Sequence, residues 1–175
     1  MLSSFEEKTG KKGMMVSAVD LLKGIAVGAG MGVALVEGAN GGLHTNYAGK
    51  VDAAVKAVTE DGYDFAYIHV EAPDEMGHQG SVERKVKAVE LLDSEVIGPV
   101  VAKMEAAGED FRLLVLPDHP TPICKRTHTS DNVPYMLYDS TAPMEAEWNY
   151  NEEEAAKSGK KIDKGHLIIE HLFSK

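Results

Sequence analysis

Apolar residues along this chain fall into two kinds of run, short unbroken ones and longer ones spaced every three or four positions. Ser17 followed three positions later by Asp20 has the form of a capping box, and Val19, Leu22, Ile25 and Ala26 repeat at helical spacing. The pattern predicts a helix from Ser17 to Gly28. "GVALVEG" then reads as a short buried strand, and the turn-rich "ANGGLHT" leads to Asn46 as an N-cap. Val51, Ala54, Val55 and Val58 predict a second helix, stopped by Gly62.

"DFAYIHV", rich in aromatic and β-branched residues, predicts the next strand. Ser81 opens the longest periodic segment, in which Val82, Val86, Val89, Leu92, Val96, Val100 and Met104 form the expected buried stripe. Gly98 and Pro99 should kink this helix and Gly108 should end it. "FRLLVLP" is uniformly apolar, as for a strand buried on both faces, and "VPYMLY" reads as a fourth strand. After a charged, weakly patterned stretch from Thr141 to Lys164, "GHLIIEHLF" reads as a closing helix. Strands alternating with helices argue an α/β fold, with a mostly parallel sheet, helices on both faces and right-handed crossovers. No repeat or linker interrupts the pattern, so residues 1–175 are expected to form a single domain.

Composition narrows the function. The hydrophobic fraction of 43% and charged fraction of 26% are those of a folded globular chain, not a disordered or fibrous one. Asp and Glu number 28 against 18 Lys and Arg, and the net charge of −10 disfavours nucleic acid and anionic membrane surfaces as partners. An acidic chain that binds a phosphorylated small molecule needs local positive charge, and divalent cations supply it. Cys124 is the only cysteine, which excludes an intrachain disulfide. No stretch has the apolar length of a membrane span or the form of a signal peptide, and the expected location is cytoplasmic.

In parallel sheets, ligands gather beyond the carboxyl ends of the strands. Two such ends carry metal-type side chains: Asp74 and His78 follow "DFAYIHV", while Asp118 and His119, with the later His128, follow "FRLLVLP". All five are expected in loops on one edge. Each taken alone reads as a loop cap or a solvated turn residue. Grouped at two strand ends they read as a metal centre, because mixed carboxylate oxygen and imidazole nitrogen suits Mn²⁺ or Zn²⁺. A two-ion site of this kind clamps the attacking and leaving oxygens in phosphoryl transfer.

These residues carry a family resemblance. "HVEAPDEMGHQG", "LPDHPTPICKRTHTSDNVPYMLY" and "GANGGLHTNYAGK" resemble the carboxyl-terminal half of the archaeal type of cofactor-independent phosphoglycerate mutases, in the alkaline phosphatase superfamily. The resemblance covers most of Ser17 to Tyr138 and implies a partial alkaline-phosphatase-like core. It implies that Asp74, His78 and His128 hold one metal and that Asp118 and His119 supply part of a second, incomplete site. It further implies interconversion of 3-phosphoglycerate and 2-phosphoglycerate through a phosphoserine. The family's amino-terminal strand, with its nucleophilic serine and a metal-binding Asp, has no match in this chain, nor has its inserted substrate-binding domain. The chain alone is therefore expected to be inactive, and to self-associate or to pair with an amino-terminal half. Thr129 and Ser130 match no nucleophile and read as loop caps.

Other features carry less. "GAGMG" (Gly28 to Gly32) ends a helix and has no Lys-Ser or Lys-Thr behind it, so no nucleotide loop is assigned. His69 reads equally as a partner behind the metal ligands or as a core histidine. Lys8, Lys11 and Lys12 read as a solvated charge run. The resemblance leaves open a homoserine-kinase-like member of the same family, which would bind a nucleotide, and a second rival is a non-catalytic scaffold that retains the ligand residues.

Overall fold

The structure is a computed structural model and describes residues 2–145 and 148–174. By internal contacts the chain divides into two compact units, one of Met1–Glu109 with Ile123–Arg126 and one of Asp110–Pro122 with Thr127–Lys175.

The first unit is built on a three-stranded parallel sheet of order β2-β1-β3, from β1 (Gly13–Val16), β2 (Gly32–Ala34) and β3 (Phe65–Ile68). The central strand pairs on both sides, Met14 opposite Gly32 of one neighbour and Ala66 of the other. Around the sheet run helices α1 (Phe5–Thr9), α2 (Asp20–Gly28), α3 (Tyr47–Thr59), α4 (Ala72–His78), α5 (Val82–Leu92) and α6 (Gly98–Ala107). The parallel α/β class expected from the alternation of elements is therefore present.

β1 is not among the expected strands and lies directly after the charged residues Lys11 and Lys12. Its four residues, "GMMV", contain one β-branched side chain and follow a Lys-Lys pair, so neither propensity nor alternation marks them. Pairing on both sides and burial of Met15 and Val16 create the strand.

The caps agree with the sequence. Asn46 Oδ1 accepts from Gly49 N at 2.9 Å to start α3, Ser81 Oγ accepts from Arg84 N at 3.4 Å to start α5, and Gly108, at φ 71°, closes α6. Ser17 does not cap directly: its Oγ accepts from Val19 N and α2 begins at Asp20.

The long helix departs from expectation twice. A π-helical turn, Asp93–Ile97, separates α5 from α6 immediately before Gly98 and Pro99. Pro99 then lies in the first turn of α6, where no N–H is required of it, and the widened turn absorbs the mismatch. The predicted stripe is also only partly buried. Val96 and Met104 are in the core, whereas Val82, Val86 and Val89 are exposed and Ala88 takes the inward position of α5.

Two apolar clusters fill the unit. Tyr47 and Val51 of α3 pack with Val96, Ile68 and Val70, and Ala72 and Met76 of α4 pack with Ala88, Leu43 and the same Val70. Val70, just past β3, thus seats both α3 and α4. Among these side chains lies a charge: Lys50 of α3 is 0% exposed, and its Nζ donates to His69 O at 3.0 Å. Burial pulls this ammonium below the ordinary lysine range, with the Glu71 carboxylate pulling the other way.

In the second unit, β4 (Arg112–Val115) and β5 (Met136–Asp139) pair antiparallel, Leu113 opposite Tyr138. "FRLLVLP" was expected as a parallel strand buried on both faces. Its strand residues, Arg112–Val115, are instead half-buried and Leu116 is exposed, because the strand has one partner and that partner runs the other way. The Arg112 guanidinium binds Asp139 at 2.6 Å across the end of the pair. Two hydrogen bonds from Thr141, then Arg112, hold the Asp139 carboxyl below the usual range. Short helices α7 (Glu152–Lys157) and α8 (Ile168–Phe173) complete the unit, α8 following a 3-10 turn over Gly165–Leu167. Tyr150 donates to Val115 O and Pro134 O, both at 3.3 Å, and burial pushes its phenol up to about 12.

Replacing Lys50 with Met should lower the unfolding free energy by about 1–3 kcal/mol, because the His69 carbonyl loses its donor in a dry site. The folded-state value of Lys50 is depressed, so the unfolded chain holds that proton more tightly and the residue's contribution rises with pH toward the ordinary lysine range. Urea titrations of both proteins between neutral and alkaline pH should show the gap widening in favour of Lys50. A gap that narrows would contradict the assigned burial.

Candidate metal centre

Asp74 and His78 were expected in a loop, and the structure puts both on α4. The helix forms because Pro73 suits its first turn, Asp74 and Glu75 place negative charge at its amino end, and Met76 anchors it in the core. A spacing of four on a helix puts the two side chains on one face. That spacing was itself a helical signal in the sequence, overlooked because the flanking glycines and proline suggested a loop.

His78 Nδ1 lies 3.0 Å from the carbonyl oxygen of Arg126. A carbonyl can only accept, so Nδ1 is the donor and, in the neutral ring, Nε2 carries the lone pair. Nε2 faces Asp74 Oδ2 at 3.3 Å. Two electron-rich atoms directed at each other require a proton or a cation between them. Both side chains are about one-third exposed, at 35% and 31%, so an ion can reach them.

In the second unit Asp118, His119 and His128 lie in the loop beyond β4. The His119 and His128 rings lie 3.6 Å apart between centroids with 30° between their planes. Asp118 Oδ1 accepts from His119 N at 3.0 Å, while Oδ2 lies 3.4 Å from His119 Nε2. Thr121 Oγ1 is 3.4 Å from His119 Nδ1, and Thr129 N donates to Pro120 O at 3.1 Å, which draws the loop back on itself. Next to His128, Thr129 Oγ1 is buried with no hydrogen-bond partner among the described residues. An orphaned hydroxyl on the residue after His128 fits a loop shaped to receive an ion or its waters. In both units the donor set is carboxylate and imidazole, which fits a divalent transition ion.

Behind α4 is a polar group that sequence reasoning did not assemble. Ser17 Oγ and Glu71 Oε1 both lie against His69 Nδ1, at 3.3 and 3.6 Å, and Lys50 holds the His69 carbonyl. The available signal was Lys50 itself, which shares the inward face of α3 with Ala54 and Ala57. Ser17, His69 and Glu71 do not form a nucleophile relay, which needs hydroxyl and carboxylate on opposite ring nitrogens.

A parallel α/β sheet with a carboxylate–imidazole pair on the helix that follows β3 fits a metal-binding α/β protein. The chain belongs to the metalloenzyme superfamily, whose family model matches residues 1–171. It is 49% identical over 156 residues to the 2,3-bisphosphoglycerate-independent phosphoglycerate mutase of Methanosarcina acetivorans, covering 89% of this chain and 39% of that protein. A probable mutase of the same name from Geobacter sulfurreducens is 45% identical over 175 residues, covering 99% of this chain and 43% of the relative. The structure of the PH0037 protein from Pyrococcus horikoshii superposes with a TM-score of 0.86 at 28% identity, over 100% of this chain and 53% of that one. The chain thus spans about two fifths of the length of these curated relatives.

Ser17 should resist a fluorophosphonate probe that labels activated serines, with intact mass unchanged after exposure. A single adduct mapped to Ser17 would establish it as a nucleophile.

Proposed function

We propose that this chain is the metal-binding part of a cofactor-independent phosphoglycerate mutase, interconverting 3-phosphoglycerate and 2-phosphoglycerate. The observation that carries the reading is the facing of His78 Nε2 and Asp74 Oδ2 with Nδ1 already engaged. Identity of 45–49% to proteins named for that activity supports the substrate. In this reading Asp74, His78 and His128 hold one ion, and Asp118 and His119 supply part of a second site.

The mixed oxygen and nitrogen donors favour Mn²⁺ or Zn²⁺ over Mg²⁺ or Ca²⁺. Bound ions neutralise negative charge on phosphoryl oxygens, which a chain of net charge −10 must otherwise repel. The chain's own part is orientation: Arg126 O fixes the His78 ring, and α4 holds Asp74 beside it. No residue of the chain matches the family's phosphoryl-accepting serine, so catalysis needs a group this segment does not supply. No helix among the described residues is long and apolar enough to cross a membrane, and a cytoplasmic setting goes with the reading.

Titration of the metal-free chain with Mn²⁺ or Zn²⁺ should raise its melting temperature, since an ion bound to the folded form alone stabilises it. Asp74→Asn and His128→Ala should each weaken binding by more than about tenfold, the loss that outer partners alone can cause. With 3-phosphoglycerate and Mn²⁺ the 175-residue chain should show negligible turnover. A melting temperature indifferent to both ions would favour the scaffold reading, and turnover at the rate of an intact mutase would overturn the assignment of roles.

A further inference from the structure

Among the described residues Arg126 alone combines a side chain with a positive φ, 54°. L-residues disfavour this region, so the surroundings must hold Arg126 there. The carbonyl held in this way is the one that receives His78 Nδ1. Any return to ordinary backbone angles would rotate that peptide plane and turn the oxygen from the ring.

The other end of Arg126 shows what holds it. Its guanidinium lies over Gly80, where a Cβ would meet Nε and come within 2.8 Å of Cζ and 2.9 Å of Nη2. Gly80 is itself left-handed, at φ 70°, and closes the turn after α4 by donating to Gly77 O at 3.0 Å. Two left-handed residues therefore interlock two positions from His78. The bare backbone of one leaves the space that the side chain of the other fills.

We propose that Gly80 and Arg126 are positioning residues for His78: the guanidinium seated on Gly80 holds the Arg126 carbonyl at Nδ1 and so reserves Nε2 for a cation shared with Asp74. The proposal rests on the metal reading of the Asp74–His78 pair for its purpose, but its geometry can be tested without metal. Arg126 is exposed, so its replacement should leave the fold intact.

Imidazole ¹⁵N shifts of the metal-free protein report which ring nitrogen carries hydrogen, and calorimetry with Mn²⁺ reports affinity. The wild-type chain should show His78 protonated at Nδ1. Arg126→Ala should lose that single tautomer and about tenfold in Mn²⁺ affinity with an unchanged melting temperature of the metal-free form. Arg126→Gly should retain more of both than Arg126→Ala, because glycine adopts the left-handed backbone unaided. Gly80→Ala should resemble Arg126→Ala. Wild-type tautomer and affinity in Arg126→Ala would overturn the proposal, as would equal losses in the Ala and Gly variants, which would point to the guanidinium charge instead. If the wild type binds no Mn²⁺, the metal reading fails, and the tautomer comparison still decides the positioning.

Discussion

One buried ammonium organises the functional end of the first unit. Lys50 reaches from α3 to the last carbonyl before the chain leaves β3, and it does so from a position with no access to water. Taking a charge out of water is expensive, so such a group persists where its hydrogen bonds fix something that packing alone leaves loose. Here it fixes the direction in which residues 69–72 depart. Val70 is then set against both apolar clusters, and Glu71 O accepts from Asp74 N at 2.9 Å, which starts α4. The Asp74–His78 face inherits its orientation from this chain of contacts.

The proposed ligands come from two unlike supports. Asp74 and His78 are carried on one face of a helix, where the backbone dictates their separation. Asp118, His119 and His128 are carried by a loop, where the contact of Thr121 with His119, the bond from Thr129 N to Pro120 O and the close approach of two tilted rings do the same task. A helix gives precision and a loop gives adjustability.

Helices were legible wherever caps and periodicity agreed, as at Asn46 and Ser81, because both are local signals. The candidate ligands were legible because their side-chain chemistry is independent of how they are displayed. What the sequence concealed was set by tertiary context. β1 has almost no intrinsic preference to be a strand and exists because two neighbours pair with it. Likewise β4 reads as a central parallel strand from its apolar content, yet its single partner is antiparallel. The display of Asp74 and His78 on a helix was obscured by residues that serve at its ends, Pro73 and Gly80. Backbone contributions left no trace at all, since any residue offers the carbonyl that Arg126 presents to His78.

The antiparallel pair β4 and β5 is joined by the long excursion 116–135 and not by a tight turn. No tight turn sets its register; the Arg112–Asp139 contact lies at the far end, and Tyr150 ties Val115 O and Pro134 O at the near one. Forming this pair therefore means closing a wide loop first, an entropic cost that grows with its length and delays assembly relative to neighbouring helices. The stretch with Asp118, His119 and His128 is thus the part of its unit that surrenders freedom last, and a bound ion would act there as a late clasp.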